Sequence, residues 1–159
     1  MKRKQENFDS DFPFRIRTLE AMTGFFLWQV SYLWGYEQKR ALQRFHNISH
    51  MDYVALASTY WLTLEGKEVT QIFLSRHTKI EPMGISQLLK SLESRGLMER
   101  ECSGHDSRAK VLKVTEKGID LLKSAIITIE ALDERFFKVL GKKIPLFNSM
   151  LSELIKENE

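Results

Sequence analysis

A single cysteine, Cys102, leaves this 159-residue chain without an intramolecular disulfide framework or a CxxC…CxxC zinc site. Three prolines and eight glycines are too few for a collagen-like or Pro/Gly-rich disordered chain. They also argue against an all-β fold, whose turns draw on both residues. No run of about 18 apolar residues occurs, so nothing is expected to span a membrane. The opening MKRKQENFDSDF is charged, unlike a secretory signal. No P-loop, GxSxG or GxGxxG is present, and Cys102 and His105 are too isolated to make a nucleophile–base pair. These absences point to a cytoplasmic protein that is not an enzyme and carries no cofactor.

Hydrophobic residues make up 43% and charged residues 28%, the balance of a folded soluble protein. The net charge is +3 and the isoelectric point about 9.0, compatible with nucleic acid but not diagnostic of it. Its distribution is more informative. Residues 66–118 hold 10 basic and 7 acidic side chains, whereas 1–65 hold 8 and 7, and 119–159 hold 6 and 7. The excess lies in the middle.

Residues 1–13 read as a basic-polar arm. From about Phe14 to Phe45 apolar positions recur at three- and four-residue steps, predicting a long first helix rich in aromatics. His46-Asn47-Ile48-Ser49 breaks it. Ser49 then caps a helix to about Leu64, ended by Gly66 in a left-handed position. Thr70 caps a short third helix to about His77, with Val69 and Leu74 spaced as a hydrophobic staple. After a turn at Thr78-Lys79-Ile80, Pro82 opens a fourth helix, with Glu81 a weak N-cap. That helix carries an Ile85/Leu88/Leu89/Leu92 stripe and stops at Gly96.

Short helix, tight turn and longer amphipathic helix make a helix-turn-helix pattern. Leu97–Cys102 and Ala109–Thr115 read as two strands around a turn-rich tip, Ser103–Arg108, which completes a winged helix. Leu112 and Val114 share one face of the second strand. Thr115 caps a long helix ended by Gly141, and Pro145 opens a last one. The fold class is mainly α (α+β), a winged helix-turn-helix with long terminal helices.

Two stretches of the chain, and the order of its elements, resemble the multiple-antibiotic-resistance regulator (MarR) family of winged-helix repressors. ISQLLKSLESRGLMER (Ile85–Arg100) is similar to that family's recognition helix running into its wing. HDSRAKVLKVTEKG (His105–Gly118) is similar to its D-x-R-A wing tip, second wing strand and T-x-x-G entry to the next helix. The order of elements matches too, from about Phe14 to Glu157. Two positions depart: Glu81-Pro82-Met83-Gly84 replaces a Ser/Thr-rich helix start, and Ser107 replaces the first Arg of a D-R-R tip.

The resemblance implies a homodimer built by residues 14–48 and 119–159, with 49–118 as the DNA-binding lobe. Each recognition helix would enter a major groove of a double-stranded operator, and each wing the adjacent minor groove. Met83, Ser86, Gln87, Lys90 and Ser94 lie opposite the apolar stripe. Gln can pair with adenine, and Lys can reach phosphate or guanine. Arg108 suits a narrow A·T-rich minor groove, and Asp106 can orient its guanidinium. Lys110 starts the second wing strand. Thr70 and Gln71 sit at the positive end of the third helix, and Arg76, His77 and Lys79 flank the turn, all within reach of phosphates.

Phe25, Trp28, Tyr32, Tyr60 and Trp61 are candidates to line a pocket for a small hydrophobic or phenolic effector, with packed core as the alternative. The expected function is therefore a dimeric repressor of pseudo-palindromic operators, released by such an effector. The alternative is a winged-helix protein-interaction module. Cys102 reads as a small packing residue. His46 and His50 are four apart, but the helix break between them argues against a metal pair, so no metal site is expected.

Overall fold

The computed structural model describes residues 21–104 and 110–158. In chain order it contains α1 (Thr23–His46), α2 (His50–Leu64), α3 (Gln71–Thr78), α4 (Pro82–Ser94), β1 (Met98–Cys102), β2 (Lys110–Val114), α5 (Glu116–Phe137), a 3-10 segment (Lys138–Lys143) and α6 (Ile144–Glu157). No described helix is long and apolar enough to cross a membrane. The chain divides into two compact units, 1–35 and 36–159.

In the first unit α1 begins at Thr23, later than the expected Phe14. The first carbonyl to accept helical hydrogen bonds is that of Met22, from the Phe25 and Phe26 N–H groups. The aromatic side chains here form a ladder: Phe25 stacks on Trp28 at 5.9 Å, and Trp28 on Tyr32 at 5.8 Å. These are helical i, i+3 and i, i+4 steps, which place the rings on one face.

In the second unit the helix starts and stops follow local chemistry. Asn47, at φ 51°, adopts the left-handed backbone conformation just after α1. Ser49 caps α2 with a full capping box: its hydroxyl accepts from Asp52 N–H, and its own N–H donates to Asp52 Oδ2 at 2.9 Å. Thr70 accepts from Phe73 N–H at the start of α3. Glu81 precedes α4 without a side-chain cap, and Pro82 fills the first turn.

The core of this unit gathers Ala55, Leu56 and Leu62 of α2, Leu74 of α3, Ile85, Leu89 and Leu92 of α4, and Leu112 of β2. Leu122 of α5 completes it. A smaller cluster joins Leu42, Ile48, Ala125 and Ile129. The two strands pair antiparallel from Met98↔Val114 to Cys102↔Lys110.

One difference from simple alternation appears in β2, where Val111 is buried as well as Leu112. The linker before α3 explains it. Leu112 N–H donates to the Val69 carbonyl at 2.8 Å and Thr70 bridges Val111, so the linker closes the outer edge of β2.

The T-x-x-G stretch also has a physical basis. Thr115 accepts from Gly118 N–H and donates to the Gly96 carbonyl at 2.8 Å. A Cβ at position 118 would lie 2.2 Å from the Leu97 carbonyl oxygen, so only glycine lets α5 start against the strand entry. At the other end α5 stops at Phe137, short of Gly141. The 3-10 segment takes over there, and Gly141 (φ 50°, ψ −124°) breaks it.

Candidate nucleic-acid interface

Of the apolar stripe of α4, Ile85, Leu89 and Leu92 are at 0% exposure and Leu88 is half-buried beside them. Helical periodicity then turns Met83, Gln87, Lys90 and Ser94 outward, and all four are exposed, Met83 to 76%. Ser86 is half-buried at the edge of that face. Ser94 donates to the Ser91 carbonyl at 2.8 Å, so its hydroxyl is turned back on the helix. Gln87 and Lys90 remain as the long polar side chains of this surface.

The turn that aims α4 is fixed from within. The buried Ser75 hydroxyl donates to the Ile80 carbonyl at 2.7 Å, across the turn. Lys79 sits in the left-handed conformation at φ 59°, which costs a β-carbon residue of order 1 kcal/mol. Arg76, His77 and Lys79 are exposed around this turn. Thr70 and Gln71 are half-buried at the start of α3. The Thr70 oxygen accepts from Phe73 N–H, which leaves its hydroxyl proton free to donate outward.

The basic residues of this lobe divide into two groups. Arg95 is a clamp: it donates to Asp52 Oδ2 at 3.3 Å and to the Asn47 carbonyl at 2.9 Å, tying the end of α4 to the start of α2. Arg100 pairs with Glu93 at 2.6 Å, and Lys113 with Glu101. Glu101 holds the Lys113 ammonium above the usual lysine range. Arg76 and Lys90 form no ion pair among the described residues. Both are exposed and so can meet an external anion.

The wing strands carry Lys110, whose Nζ lies 3.1 Å from Cys102 Sγ across the ladder. Cys102 is exposed, contrary to its expected packing role: it shares the Met98/Leu112 face of the ladder but lies at its far end, paired with exposed Lys110. Asp106 and Arg108 lie outside the described residues. Gly104, which precedes them, is not one of the positive-φ glycines; its N–H instead donates to Glu68 Oε1 at 3.2 Å. Glu68 and the Arg95–Asp52 clamp were not found by sequence reasoning, since both depend on partners more than 30 residues apart.

The candidate effector residues fall in different units. Phe25, Trp28 and Tyr32 belong to the first, where each is exposed. Tyr60 packs against the core of the second, and Trp61 beside it is 65% exposed. The His46 ring is engaged by α5, with Thr128 Oγ1 at 2.8 Å and Ser124 Oγ at 3.4 Å, rather than by His50. No cluster of metal-ligating side chains occurs among the described residues.

Comparison with known proteins bears on the whole arrangement. The ArnR1-like winged-helix domain family matches residues 44–132. YdcH, an uncharacterized HTH-type transcriptional regulator of Bacillus subtilis (strain 168), is 33% identical over 133 residues. That match covers 84% of this chain and 89% of YdcH. CouR from Rhodococcus jostii RHA1, solved bound to p-coumaroyl-CoA, superposes with a TM-score of 0.74 at 26% identity, covering 87% of this chain and 93% of CouR. A MarR-family transcriptional regulator from Rhodococcus sp. RHA1 shares the fold at a TM-score of 0.70 and 24% identity, over 87% of this chain and 95% of that one.

Proposed function

This chain belongs to the MarR family of winged-helix transcriptional regulators, and from that premise we propose that it is a dimeric, sequence-specific repressor of pseudo-palindromic DNA. The observation that carries the reading is the division of α4. Its stripe is sealed in the core while Met83, Gln87 and Lys90 stand outward on a helix aimed by a rigid turn. An α-helix presented this way fits a major groove, where Gln87 reads a base edge and Lys90 meets phosphate or guanine. Thr70, Gln71 and Arg76 hold the backbone, and Lys110, Asp106 and Arg108 carry the wing toward the minor groove. The relative YdcH, an HTH-type transcriptional regulator, supports it.

Dimerisation follows from apolar surface that the chain itself leaves open. Leu146, Met150, Leu154 and Ile155 of α6 are all exposed. A second copy covering them would gain about 25 cal/mol for each Å² removed from water. Release from DNA by a small hydrophobic or aromatic effector fits the aromatic side chains of each unit taken by itself, Phe25, Trp28 and Tyr32 in the first and Tyr60 and Trp61 in the second. The likeness to CouR, solved bound to p-coumaroyl-CoA, supports a ligand response.

Selection of bound sequences from random duplex DNA, followed by a salt titration on the winning site, tests the reading. The expected result is an inverted-repeat site whose affinity falls steeply with salt. Recovery of no preferred sequence, with salt-insensitive retention, would favour the protein-interaction module instead.

A further inference from the structure

The geometry points to Glu68 as a positioning residue that holds the base of the wing, at Ser103 and Gly104, although it touches no DNA itself. This inference rests on the proposed wing contact with DNA. Glu68 belongs to the linker between α2 and α3. Its two carboxylate oxygens take two different donors from the segment that leaves β1: the Ser103 hydroxyl at 2.7 Å and the Gly104 N–H at 3.2 Å. Ser103 is buried although polar, and Glu68 is what receives its hydroxyl.

The neighbouring linker residues grip the other strand. The Val69 carbonyl accepts from Leu112 N–H at 2.8 Å, and Thr70 bridges Val111. One linker thus holds both strands of the wing and, through the Thr70 cap, starts the helix-turn-helix. Residues 68–70 therefore tie the wing to the start of α3. Gly104 is the last residue before His105-Asp106-Ser107-Arg108. A carboxylate that fixes Gly104 fixes the base from which Arg108 extends.

The sign of the effect separates this role from simple charge. A carboxylate near DNA repels phosphate, so deleting it would by electrostatics alone tighten binding. A positioning role predicts the opposite. Glu68→Ala should weaken binding of the full chain to its selected operator, by roughly 5- to 20-fold for two charge-assisted hydrogen bonds that place the wing. It should also flatten the salt slope by about one unit, the change expected when Arg108→Ala removes one contact to DNA. Glu68→Gln should restore binding to within about twofold of native, since its amide oxygen still accepts from Gly104 and its NH₂ can donate to Ser103 Oγ.

Fluorescence anisotropy on the operator duplex reads all three variants, and a fourth, Glu68→Ala with Arg108→Ala, completes a double-mutant cycle. The positioning role requires that Glu68→Ala add nothing to Arg108→Ala. Amide exchange at Gly104 should quicken in Glu68→Ala while the α4 amides keep their protection, which marks a local release rather than unfolding. Unchanged or tighter binding in Glu68→Ala overturns the inference, as does a full additional loss on top of Arg108→Ala. If Arg108→Ala itself leaves binding intact, the wing contact fails and the positioning role fails with it. If Arg108→Ala weakens binding but Glu68→Ala does not, only the Glu68 inference falls.

Discussion

Helices α4 and α6 are near twins in sequence design and opposites in setting. Each opens with a proline in its first turn, each has 13 or 14 residues, and each carries an amphipathic stripe. The α4 stripe is closed off by α2, α3 and the strands, whereas α6 has no buried residue at all. Its described intrachain packing is on the 3-10 turn and on Phe137, whose ring lies 6.2 Å from that of Phe147. An apolar stripe states that something must cover it, but not whether the cover comes from the same chain. In α4 the cover is intrachain, which frees the opposite face for a ligand. Among the described residues α6 has no such cover, which is why a second copy is proposed.

The largest expected effect divides the two helices directly. Leu89→Ala opens a cavity in a sealed core and should cost about 2–5 kcal/mol, the same at low and high protein concentration. With a second copy on α6, as proposed, Leu154→Ala removes surface that this copy covers, so its cost should depend on protein concentration, because association is linked to stability by mass action. Urea unfolding midpoints at two protein concentrations measure both. A concentration-independent loss for Leu154→Ala would mean that α6 is covered within its own chain.

Gly118→Ala is the next test, and it bears on how the lobe joins α5. The added methyl would meet the Leu97 carbonyl oxygen at 2.2 Å and Val114 Cγ1 at 2.7 Å. Backbone cannot give way as a side-chain tip can, so overpacking of about 1–3 kcal/mol is expected. Thermal unfolding checks it, and a stability equal to native would remove close approach as the reason for glycine there.

Gln87→Ala and Lys90→Ala probe the open face of α4, and they should differ in kind. Loss of a base reader should cost about 1–3 kcal/mol on the selected site and little on random DNA. Loss of a phosphate contact should weaken both DNAs alike and flatten the salt slope by about one unit. Identical, salt-insensitive losses for the two variants would move the reading face elsewhere on the lobe.

What was legible in the sequence was whatever is decided within about four residues. Ser49, Thr70 and Thr115 are N-caps as their spacing indicated, and Asn47, Gly66 and Gly96 end helices through positive φ. The α4 stripe was legible for the same reason, and with it the outward positions Met83, Gln87 and Lys90. The wing's anchorage was not. The Glu68–Ser103 and Arg95–Asp52 pairs join residues 35 and 43 apart, and no periodicity encodes such a meeting. The burial of Val111 belongs with them, because its cover arrives from the linker before α3. The described helix α1 begins at Thr23, and the expected helical residues 14–20 lie outside the described residues.

The smallest expected effect lies where the lobe meets α5. His50 opens α2 and is half-buried, and that burial lowers its pKa below the ordinary 6.5, with Asp133 of α5 pulling the other way. The same carboxylate accepts from Gln38 Nε2 at 3.1 Å, and together with burial it holds the Tyr53 hydroxyl above its usual range. In the unfolded chain His50 takes a proton near pH 6.5, whereas in the folded chain it does so only at lower pH. Between those two values the unfolded state binds more protons, so stability must fall as pH drops, and the loss is complete once pH passes below the folded value. Urea midpoints measured from about pH 7 to about pH 5 should therefore decline more for the native chain than for His50→Gln. Asp133→Asn sharpens the test. It removes the charge that favours the protonated ring while its amide oxygen still accepts from Gln38, so the His50 pKa should fall further and its share of the decline extend to lower pH. Parallel titrations of native and His50→Gln would show that His50 is as easily protonated in the fold as out of it.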